Sequence, residues 1–507
     1  MPLSPATFVR SLPLIVSLCA IGQGATALAD SAVPEVPTVR LLNVENAVLD
    51  QVFPDLDQAW AFEFVGPDQV LVTEIRGQLV RVDLASGTRI EIDGLPAIAT
   101  DKAQTGLLDL ALHPDFADNR RIYFSYVEAD ASGSYFATVV DTALLLDDRI
   151  EQRERLVVAE PYSWSPSNFG GALEFDDRGY LFISMGDRSE PATAQIEHLL
   201  HGKILRLNDD GSVPSDNPFI DDPAIDDRIW ALGVRNPQGL HFDIDTGRLY
   251  EAEHGPEGGD EVNIIVRGAN YGWPEVSYGR NYPVDVLPEQ AESNPLIAFH
   301  LATSPTMEIG TVTERPGTRQ PLFYYLPSIA PSQLTVVRGP MFPEWDGDIL
   351  VAALKSKFVS KLDLAEDHVR SEFEMLRELR DRVRDIEVAE DGSIWILTQT
   401  AGLHRLYRTE SKKAAPAQAD HPGAAVYNAV CKNCHIAGAA NAPRMDRPAD
   451  WESTLALPRE EVYRRVLEGY EAMPERGACY RCSDEILKSA TDFMLETVRE
   501  GKAGNGK

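Results

Sequence analysis

The feature that most limits what this chain can fold into is an irregular repeat across residues 38–408. A turn rich in Asp, Gly or Pro leads into an alternating apolar strand, and often into a second one. The pattern opens at Gly66-Pro67-Asp68-Gln69-Val70-Leu71-Val72-Thr73 and continues through Gly77–Leu84. It returns at His113–Tyr126, and again at Asp176-Asp177-Arg178-Gly179-Tyr180-Leu181-Phe182-Ile183 with Lys203–Leu207. Further copies are Asp243–Glu251 with Glu261–Val266, then Trp345–Leu364, then Ala389–Tyr407. Six such units, mostly roughly 40 to 70 residues apart, with almost no long helical periodicity, predict an all-β six-bladed β-propeller. A pair of β-sandwiches is the competing arrangement.

The chain has 507 residues, more than one ordinary core, so a second domain is expected. Residues 409–420, with Lys412, Lys413 and an Ala/Pro/Gln run, read as a linker. If flexible, it would span roughly 20 Å on average. Beyond it stands Cys431-Lys432-Asn433-Cys434-His435. This Cys-x-x-Cys-His spacing is the attachment signature of c-type haem: two thiols one helical turn apart bond to the porphyrin, and the His ligates the iron. The competing reading is a zinc site, for which Cys479 and Cys482 could complete the ligand set. A haem iron needs a sixth ligand, and a Met thioether is the usual electron-transfer choice. Met494 lies in Ile486–Val498, a run of helical periodicity, and is expected in the core. Met445 lies in a Pro- and Arg-rich loop. Met473 follows the helix-like run Arg459–Tyr470 and precedes Pro474, so it is the expected ligand.

Residues 421–500 resemble a short bacterial class I cytochrome c, which makes 421–507 a small all-α domain. In one branch of that family the axial Met-Pro is followed by Arg-Gly and a disulfide-forming Cys-x-x-Cys. Met473-Pro474-Glu475-Arg476-Gly477-Ala478-Cys479-Tyr480-Arg481-Cys482 is similar to it. The resemblance implies a Cys479–Cys482 bridge in place of zinc. So small a loop contributes only roughly 2 kcal/mol on the chain-entropy model.

Residues 1–29 read as a cleaved secretory signal: Arg10 is the only charge, Leu12–Ile21 is a short apolar run, and Ala27-Leu28-Ala29 is a small-x-small site. The run is too short to remain as a membrane span, and no other stretch qualifies. Of the five Cys, Cys19 leaves with the signal, two hold haem and two form the implied bridge. That usage suits the periplasm. The formal charge of -32 argues against nucleic acid or anionic lipid as partners, and fits either solubility or steering toward a basic redox partner such as a soluble cytochrome.

Several propeller motifs resemble the soluble glucose/sorbosone dehydrogenase family, quinoproteins that bind pyrroloquinoline quinone (PQQ) and calcium. These are Gly106-Leu107-Leu108-Asp109-Leu110-Ala111-Leu112-His113-Pro114, Gly202-Lys203-Ile204-Leu205-Arg206-Leu207, Arg235-Asn236-Pro237-Gln238-Gly239-Leu240, Glu253-His254-Gly255-Pro256-Glu257-Gly258-Gly259-Asp260-Glu261 and Asn270-Tyr271-Gly272-Trp273-Pro274. PQQ carries three carboxylates, and the planar fork of Arg grips such groups. The resemblance implies a cradle of Gln104, Arg235, Asn236, Lys355, Arg382 and Arg384, with Gln238 close by. On a strand, Arg382 and Arg384 face the same side. Calcium takes oxygen ligands, including backbone carbonyls. Here the resemblance implies Gly255 and Pro256, with Asp260 and Glu261 serving either a metal or a turn.

One position departs from the family. Where it has a His general base and an Arg, this chain reads Asn168-Phe169-Gly170-Gly171-Ala172-Leu173. An amide cannot accept a proton near neutral pH. Asp187, His254 and His241 are substitutes to examine. The expected function is a periplasmic dehydrogenase that oxidises an aldose or related alcohol with PQQ and passes electrons to its own haem. The alternative is a propeller that has lost catalysis and serves as a binding or electron-transfer module.

Overall fold

The computed structural model describes residues 40–41, 47–281, 309–365 and 367–408, and, further on, 421, 423, 426–435, 442–445, 447–470, 473–479 and 482–504. The expected signal 1–29 and linker 409–420 lie outside the described residues.

The strands form six sheets around a hub, which is the six-bladed propeller; pairing is antiparallel except where the short strand Arg40–Leu41 adds in parallel to His368–Met375. From the hub outward, blade 1 is Ala59–Gly66, Gln69–Glu74, Gln78–Asp83 and Thr88–Glu91. Blade 2 is Leu107–Leu112, Arg121–Ala129, Phe136–Leu146 and Arg149–Val158. Blade 3 is Gly170–Phe175, Leu181–Met185, Lys203–Leu207 and Ile229–Leu232. Blade 4 is Pro237–Asp243, Arg248–Glu253, Asp260–Ile265 and Phe323–Tyr325. Blade 5 is Pro331–Val336, Ile349–Ala353, Val359–Ala365 and His368–Met375. Blade 6 is Val383–Val388, Ile394–Thr398 and Gly402–Arg408, closed on the outside by the N-terminal strand Ala47–Phe53. That closure locks the last blade with the chain's beginning and pairs a strand that would otherwise be an open edge. Each repeat unit read from the sequence falls in a different blade.

The core lies between blades rather than within them. Leu71 and Leu79 of blade 1 pack with Leu107 and Phe124 of blade 2. Corresponding clusters join every neighbouring pair, ending with Trp395 and Leu397 of blade 6 against Phe62 and Val72 of blade 1. Polar staples add to this. The hydroxyls of Thr73, Ser125 and Ser184 donate to Leu108, Gly171 and Pro237 carbonyls of the next inner strand, at 2.6, 2.6 and 2.9 Å. The hub carboxylates of Asp109, Glu174 and Asp385 accept from the Leu173, Phe242 and Phe62 N–H groups at 2.7, 2.8 and 2.8 Å, each in the following blade.

The C-terminal part is helical, as expected. The turn Tyr427–Cys431 runs into Lys432–His435, and Arg459–Glu468 and Asp484–Gly504 follow. Tyr427, Trp451, Val462, Phe493 and Leu495 form its core, and Met494 is buried among them. Among the described residues no helix is long and apolar enough to cross a membrane.

Candidate active site

Inner strands run away from one end of the wheel and second strands return to it. Residues just before an inner strand and just after a second strand therefore meet on the same face. Gln104, Asn168, Arg235, Asn236 and Arg382 hold the first position; Asp187, His254, Gly255, Lys355 and Gln399 hold the second. Sequence separations of hundreds of residues collapse into one site.

One continuous hydrogen-bonded patch joins most of the expected residues. The Asn168 N–H donates to Gln104 Oε1 at 2.9 Å, and Asn168 Nδ2 donates to Asp187 Oδ1 at 2.9 Å. Trp273 Nε1 donates to Asp187 Oδ2 at 2.9 Å, and the Asp187 N–H to the Arg235 carbonyl at 2.8 Å. Arg235 Nη1 donates to the His254 carbonyl at 2.8 Å, and its guanidinium stands 5.4 Å from the Trp273 ring centroid. Asn236 Oδ1 accepts from the Gly170 N–H at 3.1 Å. Asn168 sits at φ 55°, in the left-handed region that Asn tolerates. The backbone passes so close here that a Cβ on Gly186 would lie 2.0 Å from the Asn168 carbonyl oxygen.

A second patch forms at blade 6. Arg382 Nε and Arg384 Nη2 both donate to Gln399 Oε1, at 2.7 and 3.0 Å, so the alternation read from the sequence does turn both arginines one way. Arg384 stacks 4.1 Å from the Trp60 ring centroid. Burial, with Arg382 beside it, pulls its guanidinium down to about 9. Beneath it lies a narrow hub space of about 10 Å³, room for roughly one water, lined by Trp60, Asp109, Gln238, Ser332, Arg384 and Asp385. Lys355 stands exposed at the same face.

Three buried polar atoms at these patches have no partner among the described residues: Asn236 Nδ2, Gln238 Oε1 and Arg384 Nε. Unsatisfied buried donors are costly. Two such donors, on the face that also carries Arg235 and Arg382, suit a polycarboxylate ligand such as PQQ.

The proposed substitutes for a base are fixed in other roles. His254 Nε2 donates to the Pro331 carbonyl at 2.7 Å, and burial, aided by Arg235, holds its pKa at about 3. Burial holds His241 at about 4. Asp187 is fully buried and accepts from Asn168, Ser189 and Trp273, so it orients the amide. Of the two roles open to Asp260, the structure gives it the turn: Oδ1 accepts from the Gly255 N–H at 3.0 Å, and Oδ2 from the Ile329 and Ala330 N–H groups at 2.8 Å each. Glu261 pairs in register with Glu253 and accepts weakly from Asn263 at 3.4 Å. Among the described residues no group of three or more His, Cys, Asp or Glu side chains is arranged to hold a metal. Backbone oxygens at Gly255 and Pro256 are the kind of ligand calcium accepts without such a cluster. A Cβ on Gly255 would lie 2.3 Å from two carbonyl oxygens, so only glycine allows that loop its close approach.

Sequence reasoning missed Gln399, Trp273 and Glu253 as site residues. Burial raises Glu253 to about 7 while its carboxylate accepts from the Arg235 and Asn236 N–H groups, which shapes the turn that presents both. Trp273 and Glu253 stood inside the family-like motifs, and Gln399 carried no signal.

In the C-terminal domain, His435 Nδ1 donates to the Pro443 carbonyl at 2.8 Å. This puts the proton on Nδ1 and leaves Nε2 as the nitrogen available to a metal, a common outer-shell arrangement for metal-bound His. Cys431 borders the core together with Met445, whereas Met473 is half-buried in a tight turn, its N–H donating to the Tyr470 carbonyl at 2.9 Å. Cys479 and Cys482 form a disulfide, which removes the zinc reading.

Residues 56–408 match the family model described as Glucose / Sorbosone dehydrogenase, and residues 418–494 match that of Cytochrome C oxidase, cbb3-type, subunit III. The Escherichia coli (strain K12) aldose sugar dehydrogenase YliI is 36% identical over 347 residues, covering 68% of this chain and 87% of the relative. Quinoprotein glucose dehydrogenase B of Acinetobacter calcoaceticus is 29% identical, over 66% of this chain and 82% of its own. The crystal structure of the soluble Escherichia coli aldose sugar dehydrogenase in its apo-form superposes with a TM-score of 0.64 at 33% identity, covering 72% of this chain and 100% of that one. With its fold and more than half its length in common with these proteins, the chain belongs to the glucose/sorbosone dehydrogenase family, as a sugar oxidoreductase carrying a cytochrome c domain.

Proposed function

We propose that this protein is a periplasmic quinohaemoprotein that oxidises an aldose or related alcohol and delivers the electrons to its own haem. The observation that carries the reading is the convergence of Arg235, Arg382 and Arg384 with the unpartnered Asn236 Nδ2 on one face. The quinoprotein name of one relative supports the choice of PQQ, which when bound supplies a two-electron acceptor. Arg235, Arg382, Arg384 and Lys355 would hold its carboxylates, and Gln104, Asn236 and Gln238 its remaining polar atoms. The Gly255 and Pro256 carbonyls would bind calcium. Cys431 and Cys434 would hold the haem, His435 and Met473 its iron, and the acceptor beyond it would be a soluble periplasmic cytochrome.

Asn168 defines what the chain's own residues contribute. Its Nδ2 is committed to Asp187, so its Oδ1 is the atom free to accept from a substrate hydroxyl. It orients that hydroxyl without removing its proton. A general base contributes about 10²–10⁴-fold, so turnover is expected to be slow and to rise with hydroxide concentration. The same Asn168 favours a second reading, a propeller that binds without catalysis. Adding PQQ and calcium to the purified protein with a panel of sugars and alcohols, and following haem absorbance, separates the two. Haem reduction that requires both additions supports catalysis; no reduction with any substrate and no PQQ retention supports the binding module.

A further inference from the structure

Strand direction fixes where the second domain is attached. Gly402 pairs with Thr398 at the site face, so the third strand Gly402–Arg408 ends on the opposite face, a blade's thickness of about 20 Å away. The Pro343–Trp345 turn joins the inner strand Pro331–Val336 to the second strand Ile349–Ala353, so it lies on that far face too. Both Glu344 carboxylate oxygens accept from Arg408, one of them at 3.2 Å, and the Arg408 guanidinium stands 4.9 Å from the Phe342 ring centroid. Phe342 and Trp345 are buried and stack with centroids 4.6 Å apart. The turn is thus held both by its own rings and by the last strand residue before the second domain.

The haem motif touches this turn. Lys432, between Cys431 and Cys434, donates from Nζ to the Glu344 carbonyl at 3.2 Å. Asp68 and Glu390, exposed in the corresponding turns of blades 1 and 6, make the same face acidic, which suits an approaching lysine. The motif and the site therefore lie on opposite faces of the wheel. Electron tunnelling weakens exponentially with distance, so a haem carried by this motif is badly placed to be reduced from the site. The contact is one charged hydrogen bond, weak enough to open. Because the tether starts at Arg408, beside the contact, re-formation is an intramolecular event and is favoured. Residues 409–420 can extend to at most about 40 Å. In blade 6 one strand, Ala47–Phe53, lies between Gly402–Arg408 and the rim, so the tether is long enough to carry the domain off this face.

We propose that the far-face turn Pro343–Trp345 is a docking surface for the chain's own haem domain, and that docking there parks the haem motif away from the site until the domain lets go. The docking surface stands on its own contacts; the parking rests on the reading of the propeller as the electron donor. The test uses the full-length, haem-bearing protein. Small-angle X-ray scattering should show a compact particle. Lys432→Glu sets a carboxylate against the Glu344 carbonyl and should lengthen the maximum dimension while the Soret band and Tm stay in place; Lys432→Arg should remain compact. Equal dimensions for Lys432→Glu and the unmodified protein overturn the docking surface. Stopped-flow mixing of the oxidised protein with reduced PQQ and calcium bypasses the sugar step. The saturating rate of haem reduction is expected to be about tenfold faster in Lys432→Glu, the factor by which loss of one charged hydrogen bond raises the undocked population. An equal or slower rate in that variant overturns the parking and makes the docked state the one that transfers electrons. No saturable reduction in either protein, beside a lengthened Lys432→Glu particle, upholds the docking surface and defeats the reading of the propeller as a quinone donor instead.

Discussion

At the scale of single residues, Asn168 decides the most. It holds a left-handed backbone position that His also tolerates, and Asp187 already orients its side chain. Asn168→His is therefore expected to raise aldose turnover by at least about tenfold, with a new pH limb near the ordinary imidazole pKa. Steady-state haem reduction across pH measures it, and an unchanged rate would mean that the position does not face substrate. Arg235→Ala should cost PQQ retention more than stability, read by cofactor content after gel filtration beside an unchanged Tm. The arginine pair was legible in advance because strand alternation is a local rule, and Arg382 and Arg384 obey it. Their partner Gln399 was not, because no local pattern says which distant turn ends beside which.

Among the elements, the inner strands carry an unusual load of hub acids. Burial raises Asp109 to about 7 and Asp385 to about 8, and the Glu174 carboxyl, surrounded by protein, also to about 8. Their unfolded values are about 4. Between those limits the native state holds protons that the unfolded chain has released, so stability falls as pH rises from about 4 to about 8. The Tm is expected to drop by several degrees between pH 5 and pH 8. Glu174→Gln keeps the acceptor for the Phe242 N–H and should flatten the drop; an unaltered slope in thermal melts would assign it to other groups. In the C-terminal helices, His435→Ala should abolish the Soret pattern of a low-spin His/Met haem, and a variant that kept it would remove the ligand assignment. The helix containing Met494 was foreseen from its apolar period. The N-terminal strand Ala47–Phe53 was included in the propeller region, but its place as the outer strand of blade 6 was not foreseen.

For the whole molecule, closure of the ring is the event on which the blades depend. A chain starting at Pro54 lacks the strand that covers Gly402–Arg408 and should fail to give a cooperative melt, whereas one ending at Arg408 should keep the propeller's Tm within a few degrees. Calorimetry on both measures the difference, since the helical domain has its own core. The charge of -32 predicts that electron transfer to a basic soluble cytochrome slows as salt is added, and stopped-flow rates over an ionic-strength series measure it. Sequence alone determined the repeat and the haem signature, because strand alternation, turn chemistry and motif spacing are written within a few neighbouring positions. Only the tertiary structure decided that Asp187 and His254 are sealed into structural bonds and that Asp260 shapes a turn. Those outcomes depend on which blades abut and which loops cross, and such contacts join positions that no short window contains.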